Sequence, residues 1–178
     1  MAPATSELLF PREIIPVSIQ QRLGPDLEIR PLASSDHSRG HFELLSVLSQ
    51  APALTKEHYE AQFASMKACL NTYYTVVFVN KATDQLVAVG SIFVERKFLR
   101  GGGIVGHIED IAVSKSMQGR KLGLHLINAL EEIGRNTGCY KIILDCSKEN
   151  IPFYEKCGFT HKEYEMVMYL NQPLKSRM

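Results

Sequence analysis

Neither sign of charge is in surplus in this chain: 20 Lys and Arg stand against 19 Asp and Glu, a formal net charge of +1. Without a broad field the molecule is not expected to be drawn to nucleic acid or to a membrane surface, and any anion site must be built locally. Long apolar runs are missing as well. No stretch is apolar enough to cross a bilayer, and the opening MAPATSELLFPREIIP is broken by Pro3, Pro11 and Pro16 and carries Glu7 and Glu13, unlike a signal peptide. A cytoplasmic protein is expected. The four cysteines, Cys69, Cys139, Cys146 and Cys157, lack C-x-x-C spacing and read as reduced core thiols. Cys146 follows Asp145, but no histidine is placed to activate it as a nucleophile. The six histidines are scattered, none paired at metal-ligand spacing, so no metal is expected. Internal repeats and low-complexity tracts are also absent.

What is present suits one soluble globular domain: 178 residues with 45% hydrophobic content. Residues 1–26 mix apolar residues with proline and read as an N-terminal arm. Residues 27–178 read as a single domain. Residues 27–32 alternate as a first strand, with Pro31 marking a sheet edge. Ser35 or Asp36 is expected to cap a helix carrying Phe42, Leu45 and Leu48 on one stripe. Thr55 caps a second helix, with Tyr59, Phe63, Met66 and Leu70 at helical spacing. Residues 73–80 and 86–95 form a β-hairpin. The basic segment Arg96-Lys97-Phe98-Leu99-Arg100 and three glycines follow, ordinarily a solvated loop but one able to fold over an anion.

Residues 106–130, GHIEDIAVSKSMQGRKLGLHLINAL, organise the rest. The apolar phase slips by one between Ile108 and Ile111, which places a β-bulge at Glu109-Asp110. The alternative is a strand buried on both faces with one carboxylate paired inside. Beyond it, Gln118-Gly119-Arg120-Lys121-Leu122-Gly123 lies where a helix begins, and a helix start offers unpartnered N–H groups to phosphate. Lys121 is followed by Leu122 rather than Ser or Thr, which argues against a nucleotide-triphosphate loop. The remaining readings are a plain glycine-containing turn and a Gln-x-x-Gly-x-Gly-like pyrophosphate loop. In the latter Lys121 replaces the inner glycine, which counts against positive φ at that residue. The helix carries Leu122, Leu126, Ile127, Leu130 and Ile133 on one face. The strand 140–146 is apolar enough to be central and parallel to the strand before the loop. A helix around Phe153 and Tyr154 closes at Gly158, and residues 159–170 read as a long last strand. The fold class is α/β with a mixed sheet, antiparallel in front and parallel in the middle.

The bulged strand with its phosphate-type loop, followed by Asn150-x-x-Phe153-Tyr154-x-x-x-Gly158-Phe159, resembles the GNAT acyltransferase superfamily. Three blocks, at residues 106–113, 139–146 and 153–159, are similar to its glucosamine 6-phosphate N-acetyltransferase family. The resemblance spans roughly residues 27–169. It implies acetyl-CoA as co-substrate, a sugar phosphate as acceptor on the way to UDP-N-acetylglucosamine, and a homodimer with a shared active site. Cofactor contacts carry over to Ile111, Ala112 and Val113, and to Gln118, Gly119, Arg120, Lys121, Leu122 and Gly123. Asn150, Phe153, Tyr154 and Lys156 match its thiol and pantetheine side. Substrate positions carry over to Ser49, to Lys97, Phe98, Leu99 and Arg100, and to Glu109, Asp110 and Asp145.

Within that resemblance, a parallel pair splayed at the bulge would admit the pantetheine arm like an extra strand. Glu109 and Asp145 would orient the amine and take its proton, Tyr154 would donate to the leaving sulfur, and an N–H near Ile111 would polarise the acetyl oxygen. For Tyr154, core packing is the competing reading. An acetyltransferase for protein or polyamine amines, a non-catalytic acetyl-CoA sensor and an interaction domain remain open.

Overall fold

The computed structural model describes residues 6–170. These divide between Leu144 and Asp145 into two compact units. The first holds a five-stranded sheet in the order β1-β2-β3-β4-β5, made of β1 (Leu27–Pro31), β2 (Tyr73–Asn80), β3 (Gln85–Arg96), β4 (Ile104–Val113) and β5 (Cys139–Ile143). β1 to β4 pair antiparallel and β4 with β5 parallel. Helices α1 (Val17–Arg22), α2 (His41–Leu45) and α3 (Lys56–Ala68), the one-turn α4 (Leu99–Gly102) and the long α5 (Leu122–Asn136) complete this unit.

The apolar stripe of α5 behaves as its spacing predicts: Leu122, Leu126, Ile127, Leu130 and Ile133 are all buried, and α5 packs against β3, β4 and β5. Burying each such side chain contributes roughly 1.5–3 kcal/mol, so this helix is a main source of cohesion. At the other side β1 is the edge strand, as Pro31 suggests. Gln20 of α1 covers that edge like a one-residue strand: its amide donates to the Leu27 carbonyl at 3.1 Å and accepts from the Ile29 N–H at 2.9 Å. Leu9, Phe10, Ile15, Ile19 and Leu23 are buried as well.

Several sequence expectations need correction. Asp36 caps no helix. It is fully buried, accepts both guanidinium nitrogens of Arg30 at 2.7 Å and the Ala33 N–H at 2.8 Å, and Gly40, at φ 81°, precedes a short α2 whose buried residues are His41 and Leu44. Thr55 does cap α3, accepting from His58 N, but the stripe fades, since Leu70 is exposed. β5 is an edge strand among the described residues, not a central one, with Tyr140 and Ile143 exposed.

The second unit holds α6 (Ile151–Lys156), which ends as expected at a left-handed Gly158, φ 94°. The expected last strand over residues 159–170 is not formed. A strand has no hydrogen bonds within itself, so a segment that finds no neighbouring ladder does not become one. The cysteines are not core thiols either: Cys69 and Cys146 are exposed, Cys139 and Cys157 half-exposed.

Candidate active site

β4 breaks its own ladder. Val89 faces Ala112 and Ser91 faces Glu109, so the single Gly90 stands against two residues, Asp110 and Ile111. Asp110 takes φ 57°, the left-handed conformation found at the first residue of a G1-type bulge. Gly90 is needed opposite it, because a Cβ there would lie 2.5 Å from Ile111 Cδ1. The phase slip in the sequence therefore marks a real bulge. Glu109 and Asp110 are exposed rather than buried on a second face.

On the other side, pairing with β5 runs from Ile104↔Cys139 to His107↔Ile143. β4 continues to Val113, so residues 108–113 have no parallel partner among the described residues. A sheet that opens midway along a parallel pair leaves one strand edge for an extended ligand to line. Ala112 is buried, Ile111 and Val113 partly so.

Past β4 a short 3₁₀ turn, Lys115–Met117, leads to Gln118 and the start of α5. Gly119 sits at φ 83° and Lys121 at φ 57°. Lys121 thus adopts the left-handed geometry its side chain disfavours, where the sequence argued against it. The first helical amide to reach a main-chain carbonyl from Lys121 is His125 N, at 3.1 Å. The amides before it have no intrahelical acceptor and no side chain caps them. Gly119 has open space where a Cβ would stand. Leu122 is buried, so it can serve a ligand only through its main chain. The Arg120 guanidinium is engaged elsewhere, in a two-pronged pair with Asp26 at 2.7 and 2.8 Å.

The basic segment is partly committed as well. Lys97 Nζ meets Glu95 Oε2 at 2.7 Å, and His107 Nε2 meets the same oxygen at 2.9 Å. Hydrogen bonds from Lys97 and then His107 hold the Glu95 carboxyl below its ordinary range. Arg100, at φ 54°, places its guanidinium over the Tyr140 ring at 5.2 Å, while Phe98 and Leu99 stand exposed. Ser49 lies in an exposed bend after α2.

The Acetyltransferase (GNAT) family matches residues 41–159. Glucosamine 6-phosphate N-acetyltransferase 1 of Dictyostelium discoideum is 44% identical over 84% of this chain and 94% of its own length. The crystal structure of glucosamine-6-phosphate N-acetyltransferase from Arabidopsis thaliana superposes with a TM-score of 0.79 at 36% identity, covering 82% of this chain and 99% of that one. An acetyltransferase structure from Trypanosoma brucei gives 0.75 at 45% identity, covering 82% and 100%. The chain belongs to the GNAT acetyltransferase family.

In this GNAT chain the remaining sequence-predicted residues lie in the second unit. Asp145 and Asn150 precede α6, which carries Phe153, Tyr154 and Lys156. Tyr154 is half-buried, edge-on to Phe153 at 5.0 Å and to Phe159 at 6.1 Å, so it does pack as an aromatic. Burial, then the neighbouring Cys146 and Cys157, raises its phenol above the ordinary range, which keeps the proton in place. Partial desolvation and Asp145 likewise push the Cys146 thiol up, the wrong direction for a nucleophile.

A concavity of about 560 Å³ lies elsewhere in the first unit, lined by His37, Glu43, Gln85, Ser114 and Lys115 among others. None of the sequence-predicted site residues lines it. Sequence reasoning missed Asp26 and Glu95, each of which holds a predicted site residue. The Asp26 contact joins residues 94 apart, and no local pattern signals it. Glu95 was legible only through the register that sets Phe93 opposite His107.

Proposed function

We propose that this GNAT acetyltransferase transfers the acetyl group of acetyl-CoA to the amine of D-glucosamine 6-phosphate, giving N-acetyl-D-glucosamine 6-phosphate and CoA. The observation that carries the reading is β4, bulged at Asp110-Ile111 and without a parallel partner beyond His107, in a chain whose relatives bear that enzyme's name. The open strand edge suits a pantetheine arm, and the uncapped start of α5 suits a diphosphate.

In the reaction the amine nitrogen attacks the thioester carbonyl, a C–N bond forms, the C–S bond breaks, the amine loses a proton and the thiolate gains one. The Ile111 N–H would polarise the acetyl oxygen, where charge develops in the transition state. Glu109 and Asp145 would orient the amine and accept its proton. Tyr154, whose phenol is held protonated, would donate to the departing sulfur. Lys97 and Arg100 would take the sugar phosphate, with Asp110 and Ser49 on the sugar. Lys97 would have to share its ammonium between the phosphate and Glu95.

We further propose a homodimer. Residues 159–169 join no ladder among the described residues, and Tyr164, Met166, Val167, Met168 and Leu170 are all exposed. An unpaired segment with exposed apolar side chains is what strand exchange between two copies requires.

The test is thiol release from acetyl-CoA over a panel of glucosamine 6-phosphate, glucosamine, spermidine and a lysine peptide. Turnover with the phosphorylated sugar, at least about tenfold above glucosamine, is expected from two charge-assisted phosphate contacts. Equal rates with the two sugars would remove the phosphate site, and turnover only with spermidine or the peptide would replace the substrate. CoA binding without release for any amine would leave a sensor.

A further inference from the structure

The N-terminal arm ends at the cofactor loop, and one carboxylate makes the connection. Asp26 Oδ2 accepts from Arg120 Nη1 at 2.7 Å and Oδ1 from Nη2 at 2.8 Å, a parallel fork that fixes the guanidinium in plane and direction. Arg120 pairs with no other carboxylate among the described residues. Asp26 is itself tied down. Its carbonyl accepts from Lys81 N at 2.9 Å, and the neighbouring Pro25 carbonyl accepts from Lys81 Nζ at 2.9 Å. Gly24 leaves room for the pair: a Cβ there would stand 2.6 Å from Asp26 Oδ1 and 2.9 Å from Arg120 Nη2. The fork therefore runs from the hairpin turn, through the end of the arm, to the middle of the loop.

The residue it holds stands between two left-handed positions, Gly119 at φ 83° and Lys121 at φ 57°. Lysine disfavours that conformation, and the loop has no side-chain cap of its own. An outside tether at Arg120 is the contact the structure offers to hold the loop in shape. The side chain that looks free to grip a diphosphate is instead turned away to Asp26, which leaves the anion to main-chain amides.

We propose that Asp26 is a positioning residue for CoA: through Arg120 it holds residues 118–123 in the shape that presents their amides to the diphosphate. The proposal rests on reading that loop as the diphosphate cradle. Asp26 would act through Arg120 rather than on the ligand. Exposed ion pairs contribute little to global stability, so the effect belongs in ligand affinity, as preorganisation.

The test is calorimetric titration of the full chain with CoA, for the unaltered protein and for D26N, D26E, R120Q and the D26N/R120Q double variant, with thermal midpoints alongside. D26N and R120Q are each expected to weaken CoA binding about fivefold or more. The double variant should be no worse than either single one, because both remove the same contact. D26E, which keeps the charge, should recover part of the loss, and the midpoints should stay close to that of the unaltered protein. Equal or tighter CoA binding by D26N would overturn the proposal, since Asp26 would then be idle or a competitor that keeps Arg120 from the phosphate. Losses that add in the double variant would overturn it too. If the unaltered protein fails to bind CoA, the reading of the loop falls and takes this inference with it; normal binding there with an unaffected D26N sinks the inference alone.

Discussion

Lys121 is a residue whose identity and conformation disagree. At φ 57° it occupies a region that costs an L-residue roughly 1–2 kcal/mol, and its exposed side chain makes no capping hydrogen bond at the start of α5 that would offset this. Replacing it with glycine removes the steric cost and adds back about 0.5–1 kcal/mol of chain entropy. Lys121→Gly is therefore expected to raise stability by up to about 1 kcal/mol, read as a higher urea midpoint at unchanged slope; a lower midpoint would show that the lysine has compensating contacts. Tyr154 carries the opposite kind of claim, chemical rather than conformational. Its ring packs against Phe153 and Phe159 either way, so Tyr154→Phe preserves the packing and removes only the proton. A fall of about 100-fold in kcat with KM for both substrates nearly unchanged is expected where chemistry limits turnover. Full turnover would leave Tyr154 a packing residue.

At the scale of elements, β4 and α5 are coupled through Gly90. Its missing side chain makes room for Ile111 of the bulge on one side and for Leu126 and Leu130 of α5 on the other, at 2.5, 3.1 and 3.2 Å from where a Cβ would stand. In an ordinary strand, exchanging glycine for alanine helps. Here the added methyl meets two fully buried leucines that have nowhere to go, and overpacking of this kind costs about 1–3 kcal/mol. Gly90→Ala is expected to lower the thermal midpoint and weaken CoA binding together, because the same push displaces the bulge. A stabilised variant with unaltered binding would show that strand and helix slide freely past each other.

For the whole molecule, the exposed apolar residues between 164 and 170 ask for a partner. Light scattering behind size exclusion is expected to give twice the 20.0 kDa chain mass. A chain ended after residue 162 should lose that mass and, with it, the dependence of the thermal midpoint on protein concentration. A full-length chain that runs as a monomer at micromolar concentration would end the exchange proposal. The contrast between this region and the rest measures how far the sequence could be read. β2 emerged with the bounds expected of it and α5 with its expected buried stripe, because a run of β-branched and aromatic residues and a helical periodicity are local properties. Local composition misled at residues 159–170, read as a long last strand where none forms, and at β5, whose apolar content looked central and which lies at an edge among the described residues.

By itself the sequence determined the helix of residues 122–136 and located the slip in apolar phase at Glu109-Asp110 that the structure resolves as a bulge, since both are written in the spacing of neighbouring side chains. Only the tertiary structure decided what Arg120, Lys97 and Asp36 do. Their partners, Asp26, Glu95 and Arg30, are chosen by which carboxylate and which cation the folded backbone brings within hydrogen-bonding distance, and residue spacing along the chain does not encode that choice.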